Sequence, residues 1–337
     1  MLTKQKLDQY IPINNICLII LAGVALTWFL AYTKSVLMPF VIALFISIVC
    51  KTIAGWLHRK YNLPQLAGLI IAVLLFLALA ALAVWFIINS VETFIDGADS
   101  YAQKVNDTLA WFLAKTKQYT AATAPAAIAG YLDKLPVFNM LQGMGSLAVS
   151  LFTNIMLITL FVIFMFIGSA TEQSKLGTTI ENRISHYLLI KIFVSFLAAF
   201  LTWITLASLK CELALMLALI TFLLNFIPNI GPLISTFMPM PVLFLQYGFD
   251  WHIILALSLL TAIHFTIGNV FETRLLGKRM DLHPIVVIFS LIFWALVWGV
   301  VGALLAVPLT SILKMALEQS EPTKPLAGIL AGKMPFE

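Results

Sequence analysis

Long apolar runs alternate with short polar connections along the chain, and this pattern predicts membrane-spanning helices. Six such runs cover residues 16–31, 35–50, 66–89, 145–168, 187–209 and 251–269. A helix needs about 20 predominantly apolar residues to cross a hydrocarbon core of about 30 Å. The pattern therefore predicts about six full spans in an all-α, polytopic transmembrane protein.

Two further apolar segments are too long for one span and are interrupted near their centres. Residues 213–247 contain the sequence NFIPNIGP at 225–232, and residues 285–313 contain GVVG at 299–302, with Pro308 beyond. Each half of the first segment would be about 22 Å long at 1.5 Å per residue, which is short of the core thickness. The interruptions predict two re-entrant helical hairpins in the C-terminal half.

The positions of the 20 Lys and Arg residues favour hairpins over simple spans. Short cytoplasmic loops are enriched in Lys and Arg. If the first hairpin enters and leaves by the outer face, Arg274, Lys278 and Arg279 join most of the other basic residues on the inner side. Eight simple spans would place these three residues outside. The hairpin arrangement also gives the two hairpins inverted orientations and predicts cytoplasmic N- and C-termini.

Residues 91–143 have a different pattern, in which apolar side chains recur at helical spacing between charged ones. About fifty residues are too few for an independent core, so we expect this segment to lie on the membrane portion or on a neighbouring subunit. The chain then divides into four predicted parts. They are transmembrane helices 1–3 (1–90), an extracytoplasmic amphipathic segment (91–143), a transport region with both hairpins (144–313) and a cytoplasmic tail (314–337).

Composition agrees with a membrane protein and excludes several other classes. The chain of 337 residues is 61% hydrophobic and 10% charged, with a mean hydropathy of +1.01, whereas soluble domains carry about 25% charged residues. A net charge of +5 spread over the length makes no nucleic-acid-binding stripe. The three cysteines and the histidines lack metal-ligand spacing, and no phosphate-binding or catalytic motif occurs. We therefore expect no metal, no cofactor, no nucleic-acid partner and no enzymatic activity.

The interrupted helices are the predicted substrate site. Irregular backbone at membrane depth is tolerated only within protein or beside a water-filled cavity, and paired broken helices in inverted halves point to a transporter's binding site. We predict that the two tips bind a small polar solute near mid-membrane. The residues are Asn225, Pro228, Asn229, Gly231, Pro232, Gly299 and Gly302. In the alternative interpretation, the glycines and prolines only permit kinks or close helix packing.

Few ionisable residues lie near membrane depth, and two of them form a predicted coupling-ion site for a proton or sodium. His264 and Glu272 are about two helical turns apart, so they would share a face of the span that includes Asn269. A His and a carboxylate beside a water-accessible cavity can carry a proton. Alternatively, Glu272 pairs with Arg274 or Arg279, and His264 hydrogen-bonds a neighbouring helix.

The C-terminal third resembles the autoinducer-2 exporter family of bacterial inner-membrane proteins. The motifs are NFIPNIGPLIS at 225–235 and GNVFETRLLGKRMDLHPIVVIFSLIFWALVWGVVGALLAVPLTSIL at 268–313. The signature positions that match are Pro228, Ile230, Gly231, Pro232, Gly277, His283, Pro284, Gly299, Gly302 and Pro308. One departure is ETRLL at 272–276, where many relatives place a proline after the polar pair.

The resemblance implies a secondary transporter of the bacterial inner membrane. It implies export of a small signalling molecule, autoinducer-2, in some members and sodium or lithium/proton antiport in others. It also implies a homo-oligomer, with a pentamer as one expected assembly. From the residues alone, two further classes stay open. One is an oligomeric channel, and the other is a non-transporting scaffold whose outer amphipathic segment recruits partners.

Overall fold

The computed structural model describes residues 4–96, 153–166, 175–248, 250–276, 282–321 and 323–332, and within these ranges the chain is helical with no β-strand. The helices in chain order are α1 (Lys4–Tyr32), α2 (Lys34–Tyr61), α3 (Gln65–Asp96), α4 (Thr153–Phe166), α5 (Lys175–Ser208), α6 (Ala214–Leu224), α7 (Ile230–Phe237), α8 (Pro239–Tyr247), α9 (Trp251–Thr266), α10 (Thr273–Leu276), α11 (Pro284–Leu317) and α12 (Lys324–Leu330). A π-helical turn, Ile267–Glu272, joins α9 to α10.

Six helical stretches, some of which join two of these helices, are long and apolar enough to cross a membrane, judged by length and composition. They are Lys34–Tyr61, Leu66–Phe86, Ile180–Ser208, Ile230–Tyr247, Trp251–Leu275 and Pro284–Leu317. Shorter apolar helices are Ile20–Tyr32, Thr153–Phe166 and Ala214–Leu224. These findings confirm the predicted all-α, polytopic membrane fold. The set of six differs from the predicted spans, because it includes parts of both interrupted segments.

Some predictions fall on residues that the structure does not describe. The amphipathic segment 91–143 lies outside the described residues beyond residue 96, and the fourth predicted span is described only over Thr153–Phe166. Gly277 and Arg279 also lie outside them. These predictions stay predictions.

The chain forms two compact units, and each contains one interrupted segment. The first unit comprises Met1–Phe45, Leu157–Ala170 and Leu282–Glu337, with the interrupted helix α11. The second unit comprises Ile46–Met156 and Thr171–Asp281, with α6, α7 and α8. The polar residues discussed below belong mainly to the second unit.

In the second unit, residues 213–247 fold back on themselves. The Tyr247 hydroxyl donates to the Leu209 carbonyl oxygen at 2.9 Å, and the Glu212 N–H donates to the Gln246 side-chain oxygen at 3.4 Å. A straight helix of this length would hold its ends about 50 Å apart. Leu217 of α6 and Leu243 of α8 share one hydrophobic core. The segment is therefore a helical hairpin whose two ends lie side by side.

The turn of this first hairpin is strained at Asn229. Its backbone has φ 61° and ψ −45°, and the Ile230 N–H donates to the Pro228 carbonyl oxygen at 2.6 Å. A three-residue γ-turn with positive φ is rare and strained. Two residues later, a Cβ added at Gly231 would lie only 2.7 Å from the carbonyl carbon of Leu224. Glycine there lets α7 pack directly against the end of α6.

Helix α11 of the first unit is also a hairpin. Gly299 has φ 66° and ψ −144°, a conformation that favours glycine. The Trp294 indole N–H donates to the Thr310 hydroxyl at 3.1 Å, although a straight helix would separate these residues by about 24 Å. A Cβ at Gly302 would lie 2.7 Å from the carbonyl carbon of Trp294. Beyond α11, the Leu330 carbonyl of α12 accepts from the His283 N–H at 3.0 Å, so α12 connects the two ends of this hairpin.

We expect Gly231→Ala and Gly302→Ala each to lower the stability of the purified protein by about 1–3 kcal/mol, because the new methyl group displaces a neighbouring carbonyl. The measurement is thermal unfolding in detergent. Gly23→Ala and Gly268→Ala are matched controls, since an added Cβ meets nothing within 4 Å at either position. The controls should leave stability unchanged or slightly raised. Equal stability in all four variants would contradict the role of close helix approach at the two hairpins.

Candidate functional site

A stripe of polar side chains runs along one buried face of α5. Lys191, Ser195, Thr202 and Thr205 are all buried, and their spacing places them on the same side of the helix. Val194, Ala198 and Leu206 are buried with them. Buried polar groups require hydrogen-bond partners. We call these four residues the α5 polar stripe.

The first hairpin binds to this stripe through Asn225. The Asn225 amide nitrogen donates to the Ser195 hydroxyl at 3.0 Å, and both side chains are buried. Asn225 is the residue at which α6 ends, immediately before the turn. The Asn225 amide, which the sequence predicted to bind the substrate, is therefore hydrogen-bonded to α5 in this structure. This bond fixes the base of the hairpin tip.

His264 of α9 lies between α5 and the second arm of the same hairpin. Its Nδ1 is 2.7 Å from the Thr236 hydroxyl, and its Nε2 is 3.4 Å from the Thr202 hydroxyl. Thr236 also donates to the Pro232 carbonyl at 2.8 Å, and a hydroxyl has one proton to give. The His264 Nδ1–H must then donate to Thr236, while Nε2 accepts from Thr202. A neutral imidazole satisfies every hydrogen bond in the series from Thr202 through His264 and Thr236 to Pro232.

Glu272 forms an ion pair with Lys191 of the stripe. The Lys191 ammonium donates to the Glu272 carboxylate, with side chains 1% and 17% exposed respectively. In the alternative interpretation of the sequence, Arg274 or Arg279 was the expected partner of Glu272. Arg274 is exposed, and Arg279 lies outside the described residues. The partner is therefore a lysine 81 residues away along the chain rather than a neighbouring arginine.

The π-helical turn aligns Glu272 with His264. In an α-helix, residues eight apart are offset by about 80° because each residue advances about 100°. A π-helical turn takes more residues per turn and reduces this offset, and such turns are frequent at functional sites. As a result, Glu272 and His264 both contact the α5 polar stripe. Asn269 is within the same turn, but it is exposed and donates to the Phe265 carbonyl at 3.1 Å.

The other predicted substrate residues lie at the two turns. Asn229 is exposed at the first tip, Pro228 and Pro232 are half-buried, and Gly231 is buried. Gly299 and Gly302 lie in the first compact unit, where Gly299 is exposed and Gly302 is buried. Their participation in the substrate site stays a prediction.

Other features of the described residues contribute less chemistry. An open groove of about 530 Å³ runs along α9, lined by Ile254, Leu257, Ser258, Thr261, Ala262 and Phe265. Its two hydroxyl groups donate to carbonyls of their own helix.

Among the described residues, no three His, Cys, Asp or Glu side chains lie close enough to hold a metal ion. In the same part of the chain, the Ser235 hydroxyl is the one buried side-chain polar atom without a hydrogen-bond partner.

The α5 polar stripe was not predicted from the sequence. Lys191, Ser195 and Thr202 stand in the fifth predicted span as K-x3-S-x6-T, a spacing that places them on one helical face. That periodicity was the available signal. No sequence signal identified Thr236, because its partner His264 is 28 residues away.

Comparisons with known proteins identify relatives of this chain. Residues 16–321 match the family described as AI-2E family transporter. The AI-2 transport protein TqsA of Escherichia coli (strain K12) is 25% identical over 336 residues, covering 95% of this chain and 97% of that protein. YhhT of the same organism is 28% identical over 317 residues, covering 89% of each chain. YrrI of Bacillus subtilis (strain 168) is 23% identical over 345 residues, covering 93% and 97%.

The family match covers most of the chain, including both hairpins and the α5 polar stripe. The relatives match over almost their whole lengths. The membrane-spanning helices are those expected of a multi-pass protein. This chain therefore belongs to the AI-2E family of membrane transporters.

Proposed function

We propose that the protein is a secondary transporter that exports a small, uncharged polar solute by alternating access, and that it is not an enzyme. Autoinducer-2 is the first candidate solute, because the relative TqsA is named as an AI-2 transport protein. We place the protein in the bacterial inner membrane, with both termini cytoplasmic and the two hairpins re-entrant from opposite faces. We propose a homo-oligomer, with a pentamer as the first assembly to test.

The observation that carries this proposal is the tip of the first hairpin. Asn229 holds a strained backbone and presents its side chain outward from a break in an apolar helical segment. Strained backbone persists where surrounding structure enforces it, and it concentrates at binding and catalytic sites. A broken helix at membrane depth is also the usual place of a transporter's substrate site. Asn229 is therefore the proposed primary solute contact.

The groups behind the tip suit an uncharged solute with several hydroxyl groups. Ser195, Thr202 and Thr236 supply hydroxyls that both donate and accept hydrogen bonds, and Asn225 supplies an amide. Ser235, which follows the tip in α7, has a buried hydroxyl without a partner.

A sodium or lithium/proton antiporter is the second candidate, and the carboxylate of Glu272 favours it. A carboxylate within a membrane protein binds protons and hard cations. In either function Glu272 is the proposed coupling residue, and His264 positions the helices around it. A channel and a non-transporting scaffold are distinguished from both candidates by the experiments below.

We expect Asn229→Ala to abolish solute export while leaving expression and oligomer size unchanged, because the exposed amide is the proposed solute ligand. Export of autoinducer-2 from cells or proteoliposomes is the readout. Asn229→Gly is the matched control for the backbone, since glycine adopts positive φ without strain. Loss of export in both variants assigns the role to the amide. Export that survives in Asn229→Gly but not in Asn229→Ala assigns it to backbone shape and removes the amide from the site.

Proteoliposomes loaded with a pH-sensitive dye separate the two transport functions. Sodium or lithium is added first, and autoinducer-2 follows, with Glu272→Gln protein measured in parallel. A proton signal evoked by autoinducer-2 and lost in Glu272→Gln is the expected result for coupled export. A proton signal evoked by sodium or lithium would instead establish antiport. If neither addition gives a signal, gradient-driven flux insensitive to Glu272→Gln indicates a channel, and absence of any flux indicates a scaffold.

A further inference from the structure

In the Lys191–Glu272 pair, the carboxylate is a group that binds small cations, and the lysine ammonium group occupies the position of the cation. The carboxylate of Glu272 faces the interior of the second unit, and the ammonium group of Lys191 satisfies it there. Lys191 is almost fully buried, at 1% exposure, on a helix surrounded by apolar side chains. Charged groups in such surroundings persist only when paired. A carboxylate left alone at this position would take up a proton or a small cation.

We propose that Lys191 is a tethered cation that fills a latent Na⁺ or Li⁺ site at Glu272, so that the native protein binds neither ion there. This inference rests on the proposed function only in treating Glu272 as the coupling residue. An ammonium ion and Na⁺ carry the same charge, and the covalent tether makes the competition for Glu272 intramolecular. Free sodium must displace a partner that cannot diffuse away. Under this proposal the transporter operates without sodium or lithium.

The neighbouring positions decide what would remain if Lys191 were removed. Tyr187 lies one helical turn before Lys191 on the same helix and is buried. Arg274, two residues beyond Glu272, is exposed. Helix α6, which packs on α5, carries no ionisable side chain. Removing the Lys191 side chain would therefore leave the Glu272 carboxylate without its ion-pair partner, beside a vacated volume.

The test is the thermal unfolding of purified full-length protein in detergent, with choline chloride replaced by NaCl or LiCl at constant ionic strength. Wild-type protein should show the same Tm in all three salts. Lys191→Ala should have a lower Tm in choline chloride and should recover about 2–4 °C in NaCl or LiCl with saturating concentration dependence. A Lys191→Ala/Glu272→Gln protein should lose this response, because the negative charge is gone.

Two controls separate a specific site from a general effect of removing a buried lysine. Lys191→Arg keeps the tethered charge and should show no response to either ion. Lys314 is another buried lysine, and its partner Glu318 at 3.5 Å is 45% exposed. Lys314→Ala leaves that carboxylate in solvent, so it should not create sodium dependence.

Two outcomes would overturn the proposal. Stabilisation of wild-type protein by NaCl over choline chloride would show that Lys191 does not fill the site. A folded Lys191→Ala protein without any cation response would show that no latent site exists. If Lys191→Ala fails to fold, Lys191→Gln replaces it, and the wild-type comparison still decides the first point. None of these readouts uses transport, so failure here leaves the export proposal to be judged by its own experiments.

Discussion

The structure depends on one constraint, which is that a helix interrupted in apolar surroundings must satisfy its freed backbone groups within the protein. The first hairpin does so for most of the amides inside its own turn. The amides of Phe226, Ile227 and Gly231 donate to carbonyls three or four residues earlier, at 2.8–3.1 Å. The Ile230 amide instead closes the short γ-turn, which forces Asn229 into its positive φ. The backbone hydrogen bonding of this turn therefore comes with local strain, and the strained residue is the one exposed at the tip.

The same constraint explains why α5 is central to the second unit. Side-chain polar groups in an apolar environment also need partners, and α5 presents its polar residues along one face. Asn225 from the hairpin tip, His264 from α9 and Glu272 from the π-helical turn each reach a different residue of that face. One helix thereby fixes the positions of the hairpin and of the proposed coupling residue. A movement of α5 relative to the hairpin would alter all of these contacts together.

The architecture was predictable from the sequence, whereas most of the side-chain contacts were not. Asparagine, proline and glycine within an apolar run mark a helix break whatever the surrounding fold, so the positions of both interruptions were predictable from local chemistry. Glu272 and His264 were identifiable because ionisable residues are rare in such segments. Lys191 was not identified as their neighbour, because its pairing spans 81 residues and depends on how α5 packs. The π-helical turn was likewise absent from a prediction that assumed regular α-helical spacing.

The pairing of the interior charges bears on the chemistry of the solute. In the described residues, both buried lysines have a carboxylate partner, Lys191 with Glu272 and Lys314 with Glu318. An anionic solute would gain most from an unpaired positive charge, and it would have to break one of these ion pairs to obtain it. The side chains grouped around the first tip are hydroxyls and amides, which bind neutral polar molecules without desolvating a net charge. Electrostatics and hydrogen-bonding capacity in the second unit therefore both favour an uncharged polar solute over an anion.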